Sequence, residues 1–316
     1  MVQENMNRSA NPADPVLDQA IVLRLVRQHL RSASAVTTID ETGGEARAYV
    51  IDDKYIFKTQ RPHRVRERTS IEKAVFFESI LAKDLPEVSV PRVLGYGREG
   101  NIEYVLETRM SGVAVRNVTL NGPARRKFLE DLARTLGRVH SLTLDQFERS
   151  SLFPGDRNES EVRSRIVDGL RRPAEAITSQ SDGWTLDIKP VALAERMIKN
   201  IPNSGIARVA LHSNPGPEHV FIDPTSLRFQ GLIDFGDAYI SHPAFDMRRW
   251  SSPDDWPAFI EGYQSEEPLN DSFLGIWQSI VVGGLMMTIA GMGFGPPRPE
   301  RRLAAIEELK AMAAEL

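Results

Sequence analysis

Leu211-His212-Ser213-Asn214-Pro215-Gly216-Pro217-Glu218-His219-Val220-Phe221-Ile222-Asp223 is the densest polar cluster of the chain, and Ile233-Asp234-Phe235-Gly236-Asp237 follows shortly after it. Short apolar runs at 209–211, 220–222 and 231–233 deliver the two clusters. Such runs, bounded by turn formers, read as strands. A hairpin between Val220 and Ile233 sets His219 and Asp234 close together at its base. An imidazole and a carboxylate so placed can hold a divalent metal that bridges nucleotide phosphates. The same pair also fits a hydrogen-bonded hairpin corner with no ligand.

Working outward, residues 128–142 carry Leu129, Leu132, Leu136 and Val139 on one stripe, the mark of an amphipathic helix. Residues 150–160 read as loop, and from Ala244 the chain reads as helix with proline interruptions. Upstream the character changes. Residues 48–51 and 55–58 read as two strands around the polar turn Asp52-Asp53-Lys54, and residues 102–106 as another. Residues 88–94 hold Pro91 and read as an edge segment. A helix is expected over 70–83, and another from Asp14-Pro15 onward through Leu17, Ile21, Val22, Leu25 and Val26. The basic run Arg61, His63, Arg64, Arg66, Arg68 reads as a solvated turn. Met110-Ser111-Gly112 breaks the pattern. The expected organisation is a strand-rich N-terminal lobe over 1–112, with 1–14 a flexible tail, and a larger helical lobe with a β insert over 113–316.

Composition narrows the function. The 316 residues suffice for one large or two medium domains. With 41% hydrophobic and 26% charged residues, disorder over the whole length is excluded. The net charge of −4 argues against nucleic acid as partner. The absence of cysteine excludes disulfide scaffolds, cysteine–zinc sites and thiol nucleophiles. Residues 1–15 have no apolar core of the kind a signal peptide needs. The most apolar stretch, 273–295, contains six glycines and reads as a buried helix ending in a glycine-rich turn rather than a membrane span. A cytoplasmic protein without membrane or nucleic-acid partners is expected.

The motifs, in this order, resemble the aminoglycoside phosphotransferase family, which has a protein-kinase-like fold. That family's loop reads H-G-D-x-x-P-x-N/H, followed by a hairpin and I-D-F/W-G; here stand His212-Ser213-Asn214, Pro217, His219 and Ile233-Asp234-Phe235-Gly236. Ser241-His242-Pro243-Ala244-Phe245-Asp246 resembles its G-D-P-A-x-D segment, and Val139-His140-Ser141-Leu142 its L-H-S-L helix end. In the front lobe, Tyr55-Ile56-Phe57-Lys58 resembles the strand with the phosphate-binding lysine, while 88–96 and 104–112 resemble the strand pair leading into the nucleotide hinge.

The resemblance implies an α+β, bilobal fold and transfer of the γ-phosphate of ATP or GTP, with Mg2+, to a hydroxyl of a small molecule. It assigns Lys58 to the α/β-phosphates, Asp234 to the metal and His219 to the second metal position, where a neutral imidazole, a poorer magnesium ligand than an oxygen donor, has the alternative role of orienting a ligand or a water. Backbone groups of Glu107, Thr108 and Arg109 would meet the purine, with their side chains incidental. Two departures stand out. The general base is Asn214, an amide that hydrogen-bonds a hydroxyl but does not take its proton at pH 7, and the glycine before it is Ser213. The helical glutamate expected to pair with the lysine falls on Ala74, leaving Glu78, one turn on, as the residue to reach Lys58. These departures keep open a catalytically impaired pseudokinase serving as a nucleotide-binding or protein-partner module. A kinase of peptide Ser/Thr hydroxyls is a second alternative. Asp254, Asp255, Glu261, Glu266, Glu267 and Asp271 offer an acidic wall for a polycationic aminosugar. Trp256, Phe259, Tyr263 and Trp277 offer a lining for a larger apolar acceptor.

Overall fold

The computed structural model describes residues 16–41, 43–61, 70–180, 184–292 and 298–313. In the front lobe α1 (Gln19–Arg27) precedes β1 (Val36–Asp40), β2 (Ala46–Ile51), β3 (Tyr55–Gln60), α2 (Ile71–Asp84), β4 (Val93–Glu99) and β5 (Ile102–Thr108). The strands form one antiparallel sheet in the order β1-β2-β3-β5-β4. β4 is an edge and begins only after Pro91, as a residue without an N–H donor requires. β1 was not expected; its exposed Thr37 and Thr38 give it no apolar run to read. The helix signal at Asp14-Pro15 lies outside the described residues. α1 is instead capped by Asp18, whose side chain accepts from the Ala20 N–H at 2.7 Å. Of the basic run, Arg61 alone is described, and it is buried and paired with Glu41 rather than solvated.

The rear lobe holds β6 (Val113–Ala114), α3 (Gly122–His140), α4 (Leu144–Arg149), α5 (Glu159–Ser179), α6 (Pro190–Ile198), β7 (Val209–Leu211), β8 (Val220–Ile222), β9 (Phe229–Leu232), β10 (Tyr239–Ser241), α7 (Ala244–Met247), α8 (Trp256–Gln264), α9 (Phe273–Ile289) and α10 (Pro299–Ala313). β8 and β9 form the expected hairpin with β6 beside it, and β7 pairs with β10. α3 starts earlier than its apolar stripe because Pro123 fits the first helical turn. No helix among the described residues is long and apolar enough to cross a membrane. Gly112, where the lobes join, has φ +83, and a Cβ there would lie 2.3 Å from the Ile222 carbonyl oxygen. Only glycine fits that approach.

The buried side chains fall into two clusters. Val22, Leu25 and Val26 of α1 pack with Tyr49, Ile51, Phe57, Tyr104 and Leu106 on one face of the sheet. The second cluster fills the rear lobe, and it also takes Phe77, Ile80 and Leu81 of α2 with Val88 and Val90. Phe77 stacks within 4.9 Å of Phe147 and 4.8 Å of Phe235. Packing therefore ties α2 to the rear lobe as well as to β4 and β5 of the sheet.

Candidate active site

β7 ends at Leu211 and hands the chain to His212-Ser213-Asn214, a loop fixed from below by Asp246. The Asp246 carboxylate accepts from the backbone N–H of His212 at 2.8 Å and of Ser213 at 2.6 Å. Ser213 has φ +82, a conformation that suits glycine; the two hydrogen bonds hold a serine in it. His212 is wholly buried, donates from Nε2 to the Ile233 carbonyl at 2.9 Å and accepts the Asn214 N–H on Nδ1 at 3.3 Å. Burial pushes its pKa down, so it stays neutral. The Asn214 side chain takes no part in these bonds; its carbonyl accepts from His219 Nδ1 at 2.9 Å and from the Gly216 N–H at 2.8 Å.

The hairpin brings His219 and Asp234 together. Ile233 N–H donates to the His219 carbonyl, and His219 Nε2 lies 3.3 Å from Asp234 Oδ2. Because Nδ1 donates to Asn214, Nε2 faces the carboxylate either as an imidazolium proton or as a lone pair. In the second case a cation belongs between the two. Crowding by the surrounding protein pushes the half-exposed Asp234 carboxyl up, but His219, Lys58 and His212 outweigh this and hold it below the usual range. Among the described residues no group of three or more His, Asp or Glu is arranged to hold a metal. The Asp234 carboxylate fits a cation that brings the rest of its shell from phosphates and water, as magnesium does, with the nitrogen of His219 a weaker second donor, and the pair does not fit an all-protein metal cage.

Lys58 comes from β3 on the opposite side. Its Nζ lies 2.6 Å from Glu107 Oε1, with the Glu107 side chain 4% exposed. Burial alone would depress the ammonium, yet Glu107, Asp234 and Glu78 more than reverse it and raise its pKa. Lys58 and Asp234 therefore sit near enough for each to favour the other's charged form. Glu78 is buried and both its carboxyl oxygens lack a hydrogen-bond partner. Burial first, and Glu107 next, push its pKa well above the carboxylate range.

Four expectations need correction. The Glu107 side chain is not incidental: it takes the lysine that Glu78 was expected to reach. The Thr108 N–H donates to the Arg92 carbonyl and the Arg109 N–H to Lys54, both at 2.9 Å, so neither amide is free for a purine. The acidic wall is half neutralised, because Asp255, Glu261 and Glu266 pair with Arg125, Arg126 and Arg138 of α3. The aromatic residues Trp256, Phe259, Tyr263 and Trp277 are buried against one another and line no acceptor site. Sequence reading missed the Glu107 side chain and the role of Asp246. The signal for Glu107 was an acid in phase with the buried Val105, at the end of the apolar run 104–106.

A model of the phosphotransferase enzyme family matches residues 36–267. The chain belongs to this family. Among curated proteins no sequence matches. Solved structures of the same fold include the streptomycin–ATP ternary complex of APH(2″)-IIa, 15% identical, covering 94% of this chain and 97% of that one with a TM-score of 0.59. Macrolide 2′-phosphotransferase type I is 19% identical over 93% and 98% of the two chains, TM-score 0.62. Macrolide 2′-phosphotransferase MphH from Brachybacterium faecium is 16% identical over 92% and 97%, TM-score 0.62. The bilobal kinase-like fold expected from the sequence is thus the fold of this family.

Proposed function

We propose that this phosphotransferase moves the terminal phosphoryl group of ATP or GTP to a hydroxyl of a small molecule, with a divalent cation, magnesium in the first instance. The observation that carries the reading is that Asp234, 3.3 Å from His219 Nε2, and Lys58, on the strand facing it, each favour the other's charged form. Phosphoryl transfer asks a protein mainly for positioning and charge neutralisation. Lys58 supplies a fixed positive charge for the phosphates. Asp234 and His219 would hold the cation, which neutralises charge on the transferring group when bound. Asn214, on a loop locked by Asp246, offers its free amide to orient the acceptor hydroxyl. The neighbours that carry streptomycin and ATP, or that are named for macrolides, support a small-molecule acceptor.

A cavity of about 560 Å³ lies beside this loop, lined by Arg125, Arg249, Trp250, Asp254, Asp255 and Glu308 among others. Trp250 ties it to the loop by donating from Nε1 to the Pro215 carbonyl at 2.8 Å. It is roomy enough for a drug-sized acceptor.

The test is thermal unfolding with millimolar Mg·ATP and Mg·GTP, followed by transfer of labelled phosphate to aminosugar and macrolide panels. The melting temperature should rise with at least one nucleotide, and Lys58→Ala should cancel the rise. Asp234→Asn should remove transfer. No shift with either nucleotide rejects the reading.

A further inference from the structure

We propose that Glu107, on the strand beside it, is the residue that positions Lys58, and that the helical Glu78 takes no part. The inference rests on the nucleotide site proposed above. In the β3–β5 ladder Lys58 lies opposite Val105, and Ile56 opposite Glu107. Residues two apart on a strand share a face, so Lys58 and Glu107 are diagonal neighbours on one side of the sheet, within reach of long side chains. The 2.6 Å contact between them is short and charge-assisted.

Three carboxylates surround the one ammonium: Glu107 from β5, Asp234 from the loop after β9, and Glu78 from α2. Asp234 also has His219 at hand and a half-exposed side chain. Glu107 has the lysine. Glu78 has neither water nor a partner, and an unpaired buried carboxylate costs more than keeping its proton.

The packing supplies an independent argument. Phe77, Ile80 and Leu81 of α2 reach into the rear-lobe core while the helix also touches β4 and β5, whereas Lys58 sits within the sheet itself. An anchor on β5 travels with the lysine because ladder hydrogen bonds join the two strands.

The test compares Glu107→Gln with Glu78→Gln, both near-isosteric. The first readout is acetylation of the Lys58 amine at pH 9 without nucleotide, followed by mass spectrometry. Glu107→Gln should speed labelling about tenfold, since the freed lysine spends more time as neutral amine, and Glu78→Gln should leave it within twofold. The second readout is ATP and GTP affinity by calorimetry. Glu107→Gln should weaken it tenfold or more and Glu78→Gln less than threefold. Should Glu107→Gln not fold, Glu107→Asp, which keeps the charge one methylene short, should speed labelling at least threefold. Faster labelling in Glu78→Gln, unchanged labelling in the Glu107 variants, or tighter nucleotide binding by Glu107→Gln each overturns the proposal. If the unmodified protein binds no nucleotide, the proposed function fails while the labelling arm still decides the anchor.

Discussion

His140 Nε2 lies 3.0 Å from Asp246 Oδ2, and neither side chain has any contact with water. Tyr263 donates to the other ring nitrogen of His140 at 2.9 Å. With its two backbone hydrogen bonds to His212 and Ser213, Asp246 thus joins the end of α3 to the loop that carries Asn214. Asp246→Ala leaves the Nε2 of His140 and two backbone N–H groups buried without partners. It should cost about 3–5 kcal/mol of stability in urea unfolding, and Asp246→Asn about 1–3 kcal/mol.

Ser213 offers the opposite experiment. Its φ of +82 is strained for any residue with a Cβ. Ser213→Gly should stabilise the chain by about 0.5–1 kcal/mol, after the greater freedom of glycine in the unfolded chain is set against the relieved strain. A rise in melting temperature of a few degrees checks it.

Acid should unfold the protein through its buried histidines. Burial, reinforced by nearby His140, pushes His242 down to about 3, and burial likewise lowers His212. His242 Nδ1 accepts the Ala244 N–H, a bond that needs the neutral ring. In the unfolded chain a histidine takes its proton near pH 6.5. Below that pH the unfolded state binds protons that the folded state refuses, so stability is lost as pH falls from about 6.5 towards 3. The slope should be about 1.4 kcal/mol per pH unit for each such histidine. Urea unfolding between pH 7 and 4 measures it, and His242→Asn should flatten the curve.

Asn214→Asp supplies the carboxylate that the loop lacks. If transfer includes proton removal from the acceptor, kcat should rise by about 10²-fold, the low end of general-base effects, with the KM for nucleotide unchanged. Steady-state kinetics with a saturating acceptor decides this.

The core of the site was legible before the structure, because the spacing of Val220 and Ile233 already required a hairpin that joins His219 to Asp234. The sheet-rich front and helical rear were legible because alternating runs give way to helical stripes along the chain. Other features depend on register and packing, which no local pattern carries. The Lys58–Glu107 contact follows from which residues of β3 and β5 face each other. The neutralised acids Asp255, Glu261 and Glu266 depend on α8 lying along the arginines of α3. The aromatic residues of 256–277 looked equally suited to lining a pocket or filling a core, and only their mutual stacking decides for the core. β1 and β10 escaped notice because one is polar and the other, Tyr239-Ile240-Ser241, is not a continuous apolar run.

The attachment of α2 to the rear lobe has a practical corollary. A fragment ending at Gly112 would leave the inner faces of Phe77, Ile80, Leu81, Val88 and Val90 stripped of their neighbours and open to solvent. Expressed alone, that piece should aggregate or stay unfolded. The break visible in the amino-acid pattern is a hinge in the chain's route, not a line along which the molecule can be cut.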